Sequence, residues 1–201
     1  MQATSLPETR LTDFIIAQPL PRPRTLAHPG PVGPIRIEHR HANLGRHVRL
    51  ALVPGRTLQD AIVEPLLRLG VRSASMTLLG GRLSTLLYCV APPDPTGERV
   101  ASYTRPIEAG AATLLFGNAT LGWNGRGEPL VHCHATFVCD DGQVRGGHIV
   151  VDRSVAEGPI PVLATSLDGI ELRITQDDET HMPLMRPFAA PLQCAGEASH
   201  V

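Results

Sequence analysis

The sequence has few aromatic residues, almost no net charge and no long hydrophobic run. Aromatic side chains make up 3% of its 201 residues, which disfavours the stacking platforms that bind single-stranded nucleic acid. Eighteen basic residues against nineteen acidic ones give a net charge of −1, so the broad positive field that binds a phosphate backbone is missing. No apolar stretch approaches the roughly 20 residues that span a bilayer. Nucleic-acid and membrane partners are therefore not expected.

Cysteines are also too few and too scattered to form a disulfide scaffold or a zinc ribbon. The sequence contains four of them, and none has the C-x-x-C spacing, so reduced thiols are expected. The first ten residues include Pro7 and Glu8 and have no apolar core, so they do not predict a secretory signal. We therefore expect a cytoplasmic protein.

The length and mass, 201 residues and 21.6 kDa, suit one domain with a sizeable core. Residues 1–45 are predicted to form a proline-rich N-terminal arm, because six prolines fall within residues 19–34. This composition fits an extended arm over the domain or a neighbouring subunit, with residues 35–38 as an edge strand, and it equally fits disorder. Residues 46–187 are predicted to form the domain and residues 188–201 a C-terminal tail.

The central residues predict one helix and many short strands. After a strand over residues 47–53, Thr57 can cap a helix whose apolar residues recur at helical spacing. Pro65 lies inside this pattern and predicts a kink or an early end near Glu64. Further strands are expected over residues 72–79, 82–90, 100–105, 107–121, 130–139, 144–151, 161–167 and 171–175. A mostly antiparallel sheet with one or two flanking helices places the chain in the α+β class.

The most informative segment is a predicted strand that carries two histidines. Side chains on a strand alternate between faces, so His132 and His134 point away from the apolar side chains between and beside them. Two such imidazoles lie roughly 6–7 Å apart at Cβ, and a single ion bridges that spacing. The turn at Asp141-Gly142 predicts a hairpin that brings His148 alongside. Three neutral imidazoles with an open fourth position predict a catalytic divalent metal site, with zinc as the expected ion. Histidines that only orient the hairpin are the alternative.

Two charged residues are candidate catalytic groups. Glu108 begins the long predicted strand, where it could act as a general acid or base or support a ligating imidazole. A surface carboxylate, or a pair with Arg105, is the alternative for Glu108. Arg145 precedes Gly146-Gly147, a pair that allows another backbone or a ligand to come close, and it could clamp the carboxylate of a small anionic substrate. A solvated strand residue is the alternative for Arg145.

The pattern from residue 48 to about residue 187 resembles the plants-and-prokaryotes conserved (PPC) domain family. The matching motifs are V-R-L-A-L-V-P-G, R-P-I-E-A-G, the H-C-H strand, G-G-H and the closing L-D-G-I-E-L-R. The resemblance implies an antiparallel sheet with a flanking helix, a homotrimer, and a metal bound at His132, His134 and His148, as in prokaryotic members that keep these histidines. Plant members add an AT-hook with an R-G-R-P core, whereas the nearest string here is P-R-P-R at residues 21–24.

These features favour a zinc-dependent enzyme that acts on a small oxygen-rich or carboxylated molecule by hydrolase, hydratase or lyase chemistry. The second hypothesis is a non-catalytic homotrimer that binds a small ligand or a regulatory partner. DNA binding is the third, and it rests on fold kinship alone, which does not transfer a function. An open cleft at the histidines would favour catalysis, and a sealed site would favour a structural role.

Overall fold

The structure, a computed structural model, describes residues 26–35 and 37–190. Within them the chain forms ten β-strands and one α-helix. In chain order these are β1 (His47–Leu52), α1 (Leu58–Arg68), β2 (Ala74–Leu78), β3 (Gly81–Cys89), β4 (Ile107–Trp123), β5 (Pro129–Cys139), β6 (Val144–Ile149), β7 (Val155–Ala156), β8 (Ile160–Ser166), β9 (Ile170–Gln176) and β10 (Pro183–Ala189). The predicted mostly antiparallel sheet is confirmed, and it is accompanied by a single described helix.

The helix α1 begins where the sequence predicts but does not end there. Thr57 is its N-cap, and the hydroxyl oxygen accepts a hydrogen bond from an amide of the first turn. The prediction of an end near Glu64 is wrong, because the helix continues beyond Pro65. Pro65 has no amide proton to donate, but the flanking residues Ile62 and Leu66 are fully buried against the core. Tertiary packing therefore keeps the last turn helical despite the lost hydrogen bond.

The strands form one ten-stranded sheet in the order β1-β8-β2-β4-β5-β6-β3-β7, with β9 and β10 attached beside β4. The pairings are antiparallel except for a single contact between β4 and β9. The 17-residue strand β4 pairs with β5 on one edge and with β3 and then β2 on the other. Because β3 also pairs with β6, the four strands β3, β4, β5 and β6 close on themselves.

The inner faces of these strands form the hydrophobic core. On β5 the alternate residues Val131, Cys133, Ala135 and Phe137 are buried, which confirms the predicted alternation. The ring of Phe137 packs edge-on against Tyr88 of β3 at a centroid distance of 5.1 Å. Burial of one such ring contributes about 2–3 kcal/mol to the free energy of unfolding. The other face of β5 is left to present its polar side chains outward.

Two predicted strands are not found among the described residues. Residues 100–105 are irregular, and only Ala101 forms an isolated bridge, to Pro93. In the predicted edge strand, Ile35, Ile37 and Glu38 are not in a strand, and residue 36 lies outside the described residues. The amides of Ser102 and Thr104 do donate hydrogen bonds to the carbonyls of Pro92 and Val90, but this pairing does not extend into a strand.

Two strands were not predicted. β7 is only two residues long, and β10 contains Pro183 and Pro187, which argue against a strand when the sequence is read alone. β10 tolerates both prolines because it pairs only with β9 and is therefore an edge strand. Its last two residues, Phe188 and Ala189, fall in the segment predicted as a loose tail, and residues 191–201 lie outside the described part.

The described part of the N-terminal arm contacts the domain through Glu179. The amide of Gly30 donates to the Glu179 carbonyl at 2.9 Å, and the amide of Gly33 donates to its carboxylate at 2.9 Å. The His28 ring lies 2.7 Å from the same carboxylate. Residues 1–25 of the predicted arm lie outside the described residues. The helix of the described chain is too short to cross a membrane.

Candidate metal centre

Three histidines from neighbouring strands lie together on the outer face of the sheet. His132 and His134 alternate with buried residues on β5, and His148 on β6 is directly opposite His134. The hairpin that joins the two strands turns at Gly142, whose φ of 78° favours glycine. The predicted hairpin and its grouping of the three histidines are thus confirmed.

The ring nitrogens are close enough for one ion to contact all three. One nitrogen of each ring lies within 4.8 Å of those of the other two. The Nε2 atoms of His132 and His134 are 3.0 Å apart, and the His132 and His148 ring centroids are 4.7 Å apart. Zinc–nitrogen bonds of about 2.0–2.1 Å place the nitrogens of a tetrahedral site about 3.3 Å apart. Small side-chain adjustments would therefore complete such a site.

The environment favours the neutral form of two of these imidazoles. Burial, and next the repulsion from His148 and His134, lowers the pKa of His132 to about 4. Burial, followed by repulsion from His134, also lowers the pKa of His148. Because only a neutral imidazole coordinates a metal, protons do not compete with a cation at these two rings at neutral pH.

One ring nitrogen at the site has no hydrogen-bond partner, which bears on whether a metal ion fits there. The buried Nδ1 of His148 has no hydrogen-bond partner among the described residues. A buried polar atom without a partner costs roughly 1–3 kcal/mol, and coordination of a cation would remove that cost. Within the described chain, no carboxylate or thiol joins the three nitrogens at the same spacing. The donor set therefore fits a divalent ion such as zinc, with a coordination position left for a ligand.

A cavity of about 510 Å³ opens beside His132 and His148. Tyr103 forms part of its wall, and the ring centroids of Tyr103 and His148 are 5.1 Å apart. Cys89 of β3, directly opposite His148, also lines it. A cleft of this volume is typical of small-molecule sites. The centre is thus accessible from a concave surface and is not a sealed structural site.

A larger cavity, of about 710 Å³, lies away from the histidines and is lined in part by Arg46, Arg72 and Asp168. Arg46 is paired with Asp168 at 3.3 Å, and Arg72 with Glu171 at 3.6 Å. These charges already satisfy one another, so we consider the smaller cavity at the histidines the better functional candidate.

The family model described as the Plants and Prokaryotes Conserved (PCC) domain matches residues 39–168, more than half of the chain. The chain belongs to this family, the PPC family named above. No functionally curated protein matches the sequence. The match begins before β1 and ends after β8, so it includes both strands that carry the histidines.

Solved structures share the fold of this PPC protein at low sequence identity. A metal-containing protein of Archaeoglobus fulgidus is 20% identical with a TM-score of 0.58, covering 75% of this chain and 99% of its own. A PPC protein of Pyrococcus horikoshii is 18% identical with a TM-score of 0.56, covering 77% of this chain and 99% of its own. A protein of Ralstonia eutropha named as a candidate DNA-binding protein is 17% identical with a TM-score of 0.53, covering 68% and 88%. These likenesses establish the fold.

The PPC domain places the two predicted catalytic residues outside the cavity. Arg145 lies opposite the buried Phe137, so it projects from the face of the sheet away from the histidines, and it pairs with Asp141 at 2.5 Å. Glu108 is exposed on β4 opposite Leu87 and does not line the cavity. These positions match the simpler alternatives given above, and a catalytic role for either residue stays a prediction.

The sequence did not identify the four polar or thiol side chains that line the cavity besides the histidines: Gln59, Cys89, Tyr103 and Asp152. Cys89 reaches the cavity through the pairing of β3 with β6, and Gln59 reaches it from α1, where its side chain bonds to the backbone of Pro129 and Val131. Neither spacing nor alternation indicates such a contact. For Tyr103 the signal was misleading, because its segment was predicted to be a strand.

Proposed function

We propose that this PPC protein holds a zinc ion through His132, His134 and His148 and acts on a small oxygen-containing molecule in the adjoining cavity. The proposal rests on one observation: three clustered imidazole nitrogens, within 4.8 Å of one another, border a cavity of about 510 Å³. The metal-containing relative from Archaeoglobus fulgidus is consistent with it. When bound, zinc would supply Lewis acidity toward an oxygen donor, as in hydrolases, hydratases and lyases.

The chain's own residues hold and orient the ligand. His132 and His148 form the end of the cavity nearest the ion, and the Tyr103 ring beside His148 narrows it. The walls exclude water from one side of a bound molecule, which strengthens electrostatic interactions there. The sequence contains no lysine, so all 18 basic residues are arginines and a lyase reaction through a lysine Schiff base is not available.

Metal content tests the proposal directly. We expect about one zinc per chain in purified protein measured by elemental analysis, and almost none in the double variant His132→Ala/His134→Ala, because one imidazole cannot hold the ion. His47→Ala is the matched control, since His47 is also an exposed strand histidine but lies outside the three-histidine cluster, with its ring bonded to the Thr165 hydroxyl. The control variant should keep its zinc.

Equal zinc in the double variant and in the control would show that the ion binds elsewhere and would reject the proposed site. Protein without metal after reconstitution with zinc would reject it as well. Zinc bound as expected, with turnover of ester, carbonyl and hydroxy-acid substrates in a screen, would support catalysis.

A non-catalytic homotrimer is the second candidate, and an exposed apolar surface favours association between copies. Leu115 and Phe116 of β4 are 47% and 51% exposed, and Val144 of β6 is 63% exposed. Phe116 lies opposite Thr136, two residues along β5 from His134. Metal binding without turnover of any substrate in the screen would favour this candidate.

A further inference from the structure

We infer that the cavity beside the three histidines accepts ligands with one oxygen-donor group for the metal and an uncharged, apolar body, and disfavours ligands whose body carries a carboxylate. The inference rests on the proposed function and adds the class of ligand. It departs from the expectation of an anionic substrate clamped by Arg145, because Arg145 lies on the other face of the sheet.

The walls of the cavity are mostly apolar. Away from the histidines, the lining side chains that are not buried in the core are mostly apolar: Pro106, Leu130 and Val150. Val131, Ile149 and Val151 also border the cavity, but their side chains are buried in the core. The polar side chain of Gln59 is already used, since its amide nitrogen donates to the Pro129 carbonyl at 3.0 Å and its oxygen accepts from the Val131 amide at 3.2 Å. The walls therefore offer few polar partners to the body of a ligand.

The charge of the lining is the wrong sign for an anionic tail. Asp152 is the charged side chain among the lining residues, and it is exposed at the rim. No arginine lines the cavity, and the sequence has no lysine. Arg105 and Arg153 are adjacent in sequence to lining residues but are exposed and outside the lining. A carboxylate carried into these walls would lose its hydration without gaining a counter-charge, which is unfavourable.

Tyr103 supplies a neutral donor. A tyrosine phenol is protonated and uncharged at neutral pH. Among the described residues its hydroxyl has no hydrogen-bond partner, while its ring lies 5.1 Å from that of His148. It can therefore donate to an uncharged oxygen of a ligand held at the histidines.

Two probes of the same length separate these possibilities. Butanohydroxamic acid and succinic acid monohydroxamate share one metal-binding group and differ only in a terminal methyl or carboxylate. Titration calorimetry with the zinc-loaded full chain should give a dissociation constant at least tenfold lower for butanohydroxamic acid. Zinc content is measured on the same samples.

Variants locate the origin of the preference. Asp152→Asn should strengthen binding of the carboxylate probe about threefold and leave the methyl probe unchanged, because solvent screens most of the repulsion from an exposed charge. Asp178→Asn, an exposed carboxylate outside the cavity, is the matched control and should change neither constant. The double variant Arg105→Ala/Arg153→Ala should also change neither.

Equal affinities for the two probes, or tighter binding of the carboxylate probe, would overturn the inference. If the same samples contain about one zinc per chain, the proposed function still stands. Loss of carboxylate-probe binding in Arg105→Ala/Arg153→Ala would overturn it too, by identifying an anion clamp. Zinc-loaded protein that binds neither probe would show that the cavity is not a ligand site. Protein that holds no zinc would remove the proposed function and the inference together.

Discussion

Among single residues, His132 shows how its position on a strand determines its chemistry. It projects from the outer face of β5, yet the neighbouring rings of His134 and His148 and the cavity wall leave it only partly exposed. Its neutral form is favoured for two reasons, lost hydration and nearby imidazoles, and both are consequences of the hairpin. The folded chain therefore keeps the His132 imidazole in the neutral form that can bind a metal ion.

Acid should destabilise the metal-free protein through His132. A histidine in an unfolded chain has a pKa near 6.5, whereas burial lowers the pKa of His132 to about 4. Between these values the unfolded state binds more protons, so the free energy of unfolding is fully retained above pH 6.5 and falls as pH drops toward 4. This difference in pKa corresponds to a loss of at most about 3 kcal/mol in the free energy of unfolding. Solvent screening of the partly exposed ring reduces the expected loss to about 1–2 kcal/mol.

Urea unfolding of chelator-treated protein at pH 7.5 and pH 4 measures this loss. His132→Asn should lose about 1–2 kcal/mol less between the two pH values than the unmodified chain. His47→Ala serves as the comparison and should lose as much as the unmodified chain. An identical pH dependence in His132→Asn would show that this ring does not titrate as its position implies.

The candidate ligands were predictable from the sequence, and their surroundings were not. His132 and His134 follow from alternation on one strand, and His148 follows from a short hairpin, so all three depend on local geometry. Tyr103 and Cys89 reach the same cavity only because segments distant from β5 and β6 in the chain pack against them. No period or spacing encodes that contact, so the shape and charge of the cavity required the structure.

Among the elements, the pairing of β3 with β6 does most to shape the site. It places Cys89 opposite His148 and closes the four strands on themselves. The close approach depends on Gly147, because a Cβ atom there would lie 2.5 Å from the Cys89 carbonyl oxygen and 3.0 Å from the Tyr88 ring. The sequence predicted a close approach at this glycine pair but not that β3 makes it.

Gly147→Ala should therefore separate β6 from β3 and disturb His148, the next residue. We expect a loss of about 2 kcal/mol in the free energy of unfolding, as for other overpacked sites, together with reduced zinc content. Urea unfolding and elemental analysis check the two effects. Gly125→Ala is the matched control, because nothing lies within 4 Å of a Cβ atom at that turn.

The control should stay within about 0.5 kcal/mol of the unmodified chain, as most surface substitutions do. A Gly147→Ala variant as stable and as zinc-rich as the control would mean that the β3–β6 contact adjusts without cost.

In helix α1 the sequence was misleading at a single residue. Pro65 predicted an early end of the helix, but burial of Ile62 and Leu66 keeps the last turn helical.

For the whole molecule, composition and surface favour association with itself over association with DNA. A net charge of −1 gives no long-range attraction to a phosphate backbone. The outer face of β4 and β6 instead exposes Phe116 and Val144 beside the histidine strand. These two residues lie on the strands that flank β5, and exposed apolar patches often mark protein interfaces. A partner subunit on this face would border the metal centre without filling the cavity at His148.

The homotrimer implied by the family resemblance gives this surface a definite test. Sedimentation equilibrium should give a mass about three times the 21.6 kDa of the chain. Phe116→Asp should shift the protein toward the monomer, because a buried unpaired carboxylate opposes association. Leu69→Asp is the control, since Leu69 is comparably exposed at 48% but lies at the C-terminal end of α1 rather than on the face of β4 and β6. A monomeric unmodified chain, or a trimer unaffected by Phe116→Asp, would show that this face is not the interface.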